Sequence, residues 1–150
     1  MGGGYMRKEI MDAAMAALGP LGVQGGGYVR HIAVDNAGMS PEGMMREAVQ
    51  PPALFVSHSS SMFADGQCLR ITETASFEVA AVCRTGGEVD AGRVLDDVRG
   101  ILCGNALGLS ITPLMLVRES ALSRDREITV VSARYVTRYS LPLDAQSQNM

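Results

Sequence analysis

The stretch from Phe77 to Asn105, FEVAAVCRTGGEVDAGRVLDDVRGILCGN, constrains the fold most, because its hydrophobic period changes halfway along. Ala75, Phe77 and Val79 alternate with Ser76 and Glu78, and Val79 to Cys83 is apolar throughout, the pattern of a strand that enters the middle of a sheet. Gly86 and Gly87 allow a sharp turn, and Glu88 and Asp90 then place negative charge where a helix N-terminus favours it. Val94, Leu95, Val98, Ile101 and Leu102 recur at helical spacing, while Arg93, Asp96, Asp97 and Arg99 occupy the other side. With Gly104 and Asn105 as C-terminal caps, this predicts a one-sided helix over Glu88 to Cys103 of roughly 24 Å. Such a helix must lie on a sheet.

The rest of the chain supplies that sheet. Met6, Ile10, Ala13, Ala14, Ala17 and Leu18 form the apolar stripe of a first helix that Gly19-Pro20 ends, preceded by a flexible glycine-rich leader at residues 1–5. Leu21 to Gln50 is loop-rich, with a strand-like piece from Tyr28 to Val34 and a short helix expected after Ser40-Pro41, through Ala48. Ala53 to Ser57 is an apolar central strand, and Ser57 to Ser61 with Asp65-Gly66 read as a flexible turn region. Gln67 to Arg84 is one long extended stretch whose odd positions face the core. Thr112 to Leu122 and Arg126 to Tyr139 form a hairpin around Ser123-Arg124-Asp125, with Val117 expected opposite Val131 and Met115 opposite Ala133. Residues 141–150 form a polar tail. The fold class is α/β of the α+β type: one domain over 1–150, with a mainly antiparallel sheet of about four strands packed against two main helices.

Strand length carries more information than any motif. A compact chain of 150 residues has a diameter of roughly 40 Å, yet Leu69 to Cys83 and Arg126 to Tyr139 would each extend about 45 to 50 Å. Either a bulge bends these strands, or one end leaves the domain and is completed by a partner molecule.

Composition excludes several functions. The net charge is −3, and the basic residues are arginines, apart from Lys8, scattered along the chain, which gives no footprint for sequence-specific nucleic-acid binding. Cys68, Cys83 and Cys103 are odd in number and show no CxxC or Cys/His spacing, so reduced thiols are expected rather than bridges or a metal site. No apolar run is long enough for a membrane span. Charged residues make up only 19% of the chain, a composition that favours interfaces.

No catalytic or cofactor pattern emerges. Asp96 and Asp97 are consecutive on a helix and point about 100° apart, so they cannot share a substrate proton and read as a solvated face within reach of Arg93. His58 among serines lacks a nucleophile elbow or an acid at fixed spacing. His31 reads as a packed or surface histidine. Gly25-Gly26-Gly27 neither follows a strand nor opens a helix, as phosphate-binding fingerprints require. The strand arginines Arg118, Arg134 and Arg138, with Tyr135 and Tyr139, suit either an interface or a wet outer sheet face.

The order of these elements, with PALFV at Pro52 to Val56, FEVAAVCR at Phe77 to Arg84, VLDDVRGIL at Val94 to Leu102 and RYSLP at Arg138 to Pro142, resembles the tail terminator proteins of Mu-like tailed phages. The resemblance implies a non-enzymatic virion protein without cofactor. Such a protein forms a homo-oligomeric, hexameric ring on the tail tube and stops its polymerisation. It joins the tail to a head-completion or connector protein, in the neck of a virion assembled in the host cytoplasm, and genome DNA passes through the ring. Arg70, Glu78, Arg118, Arg134, Tyr135 and Arg138 are then candidates for the subunit interface or the lumen wall. Two other functions fit the residues: a head-completion or connector-adaptor neck protein, and, from a different class, a small ligand-binding domain or enzyme with a pocket near His58.

Overall fold

The structure, a computed structural model, describes residues 2–35, 43–44, 46, 50–66 and 69–142, with side chains from Met6 onward. Helix α1 spans Gly2–Leu18, four residues ahead of the expected start at Met6, so residues 2–5 have helical backbone rather than that of a leader. Two short 3-10 turns follow. Here the triple glycine is a tight loop: Gly26 has φ +89°, and a Cβ on Gly27 would lie 2.1 Å from the Leu21 carbonyl oxygen. Strand β1 is His31–Val34, β2 is Ala53–Asp65, and β3 is Arg70–Arg84. Helix α2 covers Ala91–Leu102, shorter at both ends than expected, and β4 (Met115–Arg124) and β5 (Ile128–Pro142) complete the fold.

The sheet has five strands in the order β1-β2-β3-β5-β4. It is antiparallel except for β1, which pairs in parallel with β2 and accounts for the strand beyond the expected four. Ser57 to Ser61 is no turn. β2 continues through it to Asp65, opposite Ile71, because β3 offers a full row of unpaired backbone groups that short polar side chains can follow. The short helix expected after Ser40-Pro41 lies outside the described residues, apart from helical backbone at Gly43, Met44 and Arg46. Of the supposed tail, Leu141 and Pro142 belong to β5, and the remainder lies outside the described residues.

Two layers hold the sheet. On one face, α1 and α2 bury Ile10, Ala14, Leu18, Val94, Leu95 and Val98 against Leu54, Val56, Phe77, Val79, Ala81, Ala133 and Tyr135. Helix α2 begins at Asp90, whose side chain accepts from the Gly92 N–H at 2.6 Å, and it ends as the Asn105 side chain donates to the Ile101 carbonyl. On the other face a smaller cluster, Met44, Ala53, Phe55, Ala80, Val82 and Val130, covers only the end of the sheet nearest β1.

The over-long strands do not bend at a bulge of their own. β3 and β5 pair from Arg70↔Pro142 to Arg84↔Ile128 without a register shift. At about 3.3 Å per residue their 15 residues extend roughly 50 Å. The bulges fall instead on the flanking strands, at Ser59 of β2 and at Val117 and Leu122 of β4. The expected hairpin register does not hold, and the displacement is already present beside the turn, where Arg124 faces Thr129; further along, Ala121 faces Val131, Glu119 faces Ala133 and Met115 faces Val136. The turn lies at Asp125 to Glu127 rather than Ser123 to Asp125, since the Asp125 carboxylate accepts from the Glu127 and Ile128 N–H groups.

Candidate assembly surface

β4 ends opposite Val136 and β1 ends opposite Val56, so beyond those rows the sheet narrows to three strands. This projection consists of β2 after His58, β3 before Phe77 and β5 after Val136. Its outer β2 edge has no strand partner among the described residues once the Asp35 N–H has donated to the Val56 carbonyl at 2.7 Å. On the β5 side Thr112 substitutes for a strand. Its N–H donates to the Arg138 carbonyl and its hydroxyl accepts from the Arg138 N–H, each at 2.9 Å.

The helix face of the projection is closed by a polar arrangement. Glu73 is 0% exposed, and its carboxylate receives Arg7 Nε of α1 at 2.7 Å and the hydroxyl of Ser61. His58 bonds Ser61 at 2.7 Å and packs edge-on against Phe77. In this order the serine stands between histidine and carboxylate, whereas a catalytic triad needs the histidine in the middle to take the serine proton. Burial, with the Arg7 charge nearby, pushes the His58 pKa down. Burial and the adjacent Glu73 push the Tyr139 hydroxyl up. An open cleft of about 400 Å³ beside His58 is lined by Arg7, Lys8, Met11, Asp12, Val34 and Asp35. Among the described residues no group of three His, Cys, Asp or Glu side chains is placed to hold a metal ion.

Among the described residues nothing packs over the opposite face along the projection. Cross-strand pairing puts Ser60, Met62 and Ala64 of β2 beside Thr72, Thr74 and Ser76 of β3, and these beside Val136, Arg138 and Ser140 of β5. Five of the six residues singled out from sequence lie on this same face: Arg70, Glu78, Arg118, Arg134 and Arg138. Arg134 reaches Glu78 at 3.7 Å, and Arg118 sits opposite Arg134. Among these five residues four are arginines and one is a carboxylate. Tyr135 does not join them. It is 0% exposed beneath the helices, and burial pushes its hydroxyl up to about 12.

Other sequence expectations resolve locally. Asp97 is not simply solvated: it accepts the Tyr28 hydroxyl, while Arg93 lies 4.8 Å from the Tyr28 ring rather than pairing with either aspartate. Asp96 pairs with Arg99 at 2.9 Å. His31 packs edge-on against Phe55. Cys83 is buried, its thiol pushed up to about 11, and Cys103 is exposed; both are free, while Cys68 lies outside the described residues. No described helix is long and apolar enough to cross a membrane.

Sequence reasoning missed Glu73 and the apolar residues at the tip of the projection. Glu73 occupies an odd position of β3, so the alternation itself placed it inward. Met62 and Phe63 sit between a serine run and Asp65-Gly66, a composition that suggested a turn, while Leu69, expected on the core face of the extended stretch from Gln67, precedes β3 and is exposed instead. They are large and open to solvent, and Leu69 has φ +58°, a conformation unusual for a bulky side chain.

The architecture is thus a two-helix α+β fold whose mainly antiparallel sheet outruns its helical cover. No protein-family model and no curated protein matches the chain. Among solved structures, a chain from the virion of a native gene transfer agent particle shares the fold, with a TM-score of 0.51 and 15% identity over 91% of each chain.

Proposed function

We propose that this chain is a structural subunit of a phage-type virion and, within that class, a ring-forming tail terminator that caps the tail tube, stops its polymerisation and joins the tail to the neck connector. The observation that carries the virion reading is the fold shared over 91% of both chains with a component of a gene transfer agent virion. The finer role draws on the resemblance to Mu-like terminators and on the projecting sheet. A three-stranded extension with one bare face and an open edge is unfavourable for a solitary protein and useful to one completed by neighbours. Its open face carries Arg70 and Arg138, and Arg118 and Arg134 continue the same face on the body of the sheet, a residue type favoured at interfaces. The protein assembles as a homohexameric ring and works without cofactor or catalytic step.

Purified protein should show a concentration-dependent mass by light scattering and bind the ends of tail tubes. Mass spectrometry of separated particles should find it with isolated tails. Recovery with heads instead would make it a head-completion or connector-adaptor protein. A strict monomer that ignores tubes would end the ring reading.

A further inference from the structure

We propose that the tip of the β2–β3 hairpin in one copy of this chain seats against the outer side of β4 in the next copy, a head-to-tail contact repeated around the assembly. The inference rests on the self-assembly proposed above and specifies which two surfaces meet.

Each surface leaves large apolar side chains open to solvent. Edge strands are normally protected by charge, proline or a bulge that turns the edge away. β4 has two bulges, yet the residues they release from the ladder are apolar: Val117 is 58% exposed and Leu122 42%. A bulge re-aims a side chain, and here it aims apolar ones at solvent. The hairpin tip does the same by another route, with Met62 75% exposed and Leu69 69% exposed in a left-handed conformation.

One chain cannot satisfy both patches by folding. The tip is level with Leu141 of β5, and Val117 lies between the rows of Tyr135 and Arg134. Met62 is level with Arg138, so about 12 Å along the strands and three strand spacings, roughly 14 Å, across the sheet keep it from Val117. Two different patches on one rigid body pair head to tail, and such pairing closes into a ring or runs on as a filament.

The occupant is a second copy because the two surfaces also match in charge. The tip bears exposed Asp65 and Arg70, and β4 bears exposed Arg118 and Glu119, so each charge has an opposite available. Area fits a repeating contact better than an isolated pair. The 10 residues of β4 extend roughly 33 Å, and a strip about 10 Å wide would bury some 300 to 400 Å² per partner, about half of a standard interface. Closure, in which every copy makes the contact twice, supplies the remaining stability.

The test uses the whole chain and light scattering over a concentration series, with folding checked by circular dichroism. Met62→Glu and Val117→Glu should each leave a monomer at concentrations where the unaltered protein assembles. An equimolar mixture of the two retains one intact tip and one intact edge per pair. At the highest soluble concentration it should give a heterodimer and nothing larger. If Met62→Glu fails to fold, Leu69→Glu takes its place. Variants that assemble like the unaltered chain would overturn this pairing of surfaces and leave the ring reading standing. A mixture in which chemical crosslinking joins no Met62→Glu copy to a Val117→Glu copy would overturn the head-to-tail arrangement, and an unaltered chain that is monomeric at every concentration would remove both readings.

Discussion

The two halves of β3 share one unbroken register with β5 and differ in almost everything else. From Val79 to Cys83 the strand is buried on both sides, with α1 and α2 over Val79 and Ala81 and the Met44–Phe55–Val130 cluster over Ala80 and Val82. From Arg70 to Ser76 one side is closed by Arg7 and Glu73, and the other carries threonine and serine with no cover among the described residues. The difference shows that a backbone ladder continues wherever a partner strand continues, and stops depending on a hydrophobic core once it has started. Side chains then decide whether the extension belongs to the domain or to its surroundings.

Substitutions can break that contrast, and the greatest effect belongs to the buried half. Val98 is fully buried on α2, so Val98→Asp sets an unpaired carboxylate in the core at a cost of several kcal/mol. Loss of the cooperative thermal transition is expected. In the projecting half, Arg7→Ala should cost about 2 to 3 kcal/mol in urea unfolding by leaving Glu73 buried without its cation, whereas Glu73→Met should stay within ~1 kcal/mol of the unaltered protein. If both were equally damaging, the pair would be doing more than satisfying its own burial. Thr112→Val removes the acceptor of the Arg138 N–H and should cost about 1 kcal/mol, with faster amide hydrogen exchange at Arg138.

A pH series sharpens the same contrast. The His58 pKa is lowered in the folded state, so in the window below the ordinary value near 6.5 the unfolded chain binds the proton more readily. Stability should therefore fall slightly as pH drops through that window, and His58→Gln should flatten this part of the curve. The smallest effect belongs to the tip, where Met62→Ser should change unfolding stability by no more than ~0.5 kcal/mol. A large loss there would mean that the projection is part of the domain core after all.

Much of the fold was legible in residues. The inward phase of β3, the apolar run of β2, the Gly86-Gly87 break and the stripe of α2 all follow from periodicity, because burial on one face is a local constraint that repeats. The serine-rich half of β2 was not legible, since short polar side chains suit a turn and a bare strand equally and the choice lay with β3. The β4–β5 register was misplaced because it was anchored on Ser123-Arg124-Asp125, whereas the Asp125 carboxylate holds the turn two residues further on. Of the candidate site, five residues share a face because alternation carried them there. Tyr135 does not, because arginine and tyrosine at consecutive strand positions point to opposite sides of the sheet.

By itself the sequence determined which segments are strands and helices in the core, which side of each is buried, and that two strands are longer than a compact domain of this size can enclose. Only the tertiary structure decided that the excess is not taken up by a bulge in β3 or β5, that β1 adds a parallel edge, and that Met62, Leu69 and Val117 are left open at separate places on the sheet. Periodicity reports what each residue needs from its neighbours along the chain. Which strand lies beside which, and where the cover runs out, depends on pairings between residues distant in sequence, and no local pattern encodes them.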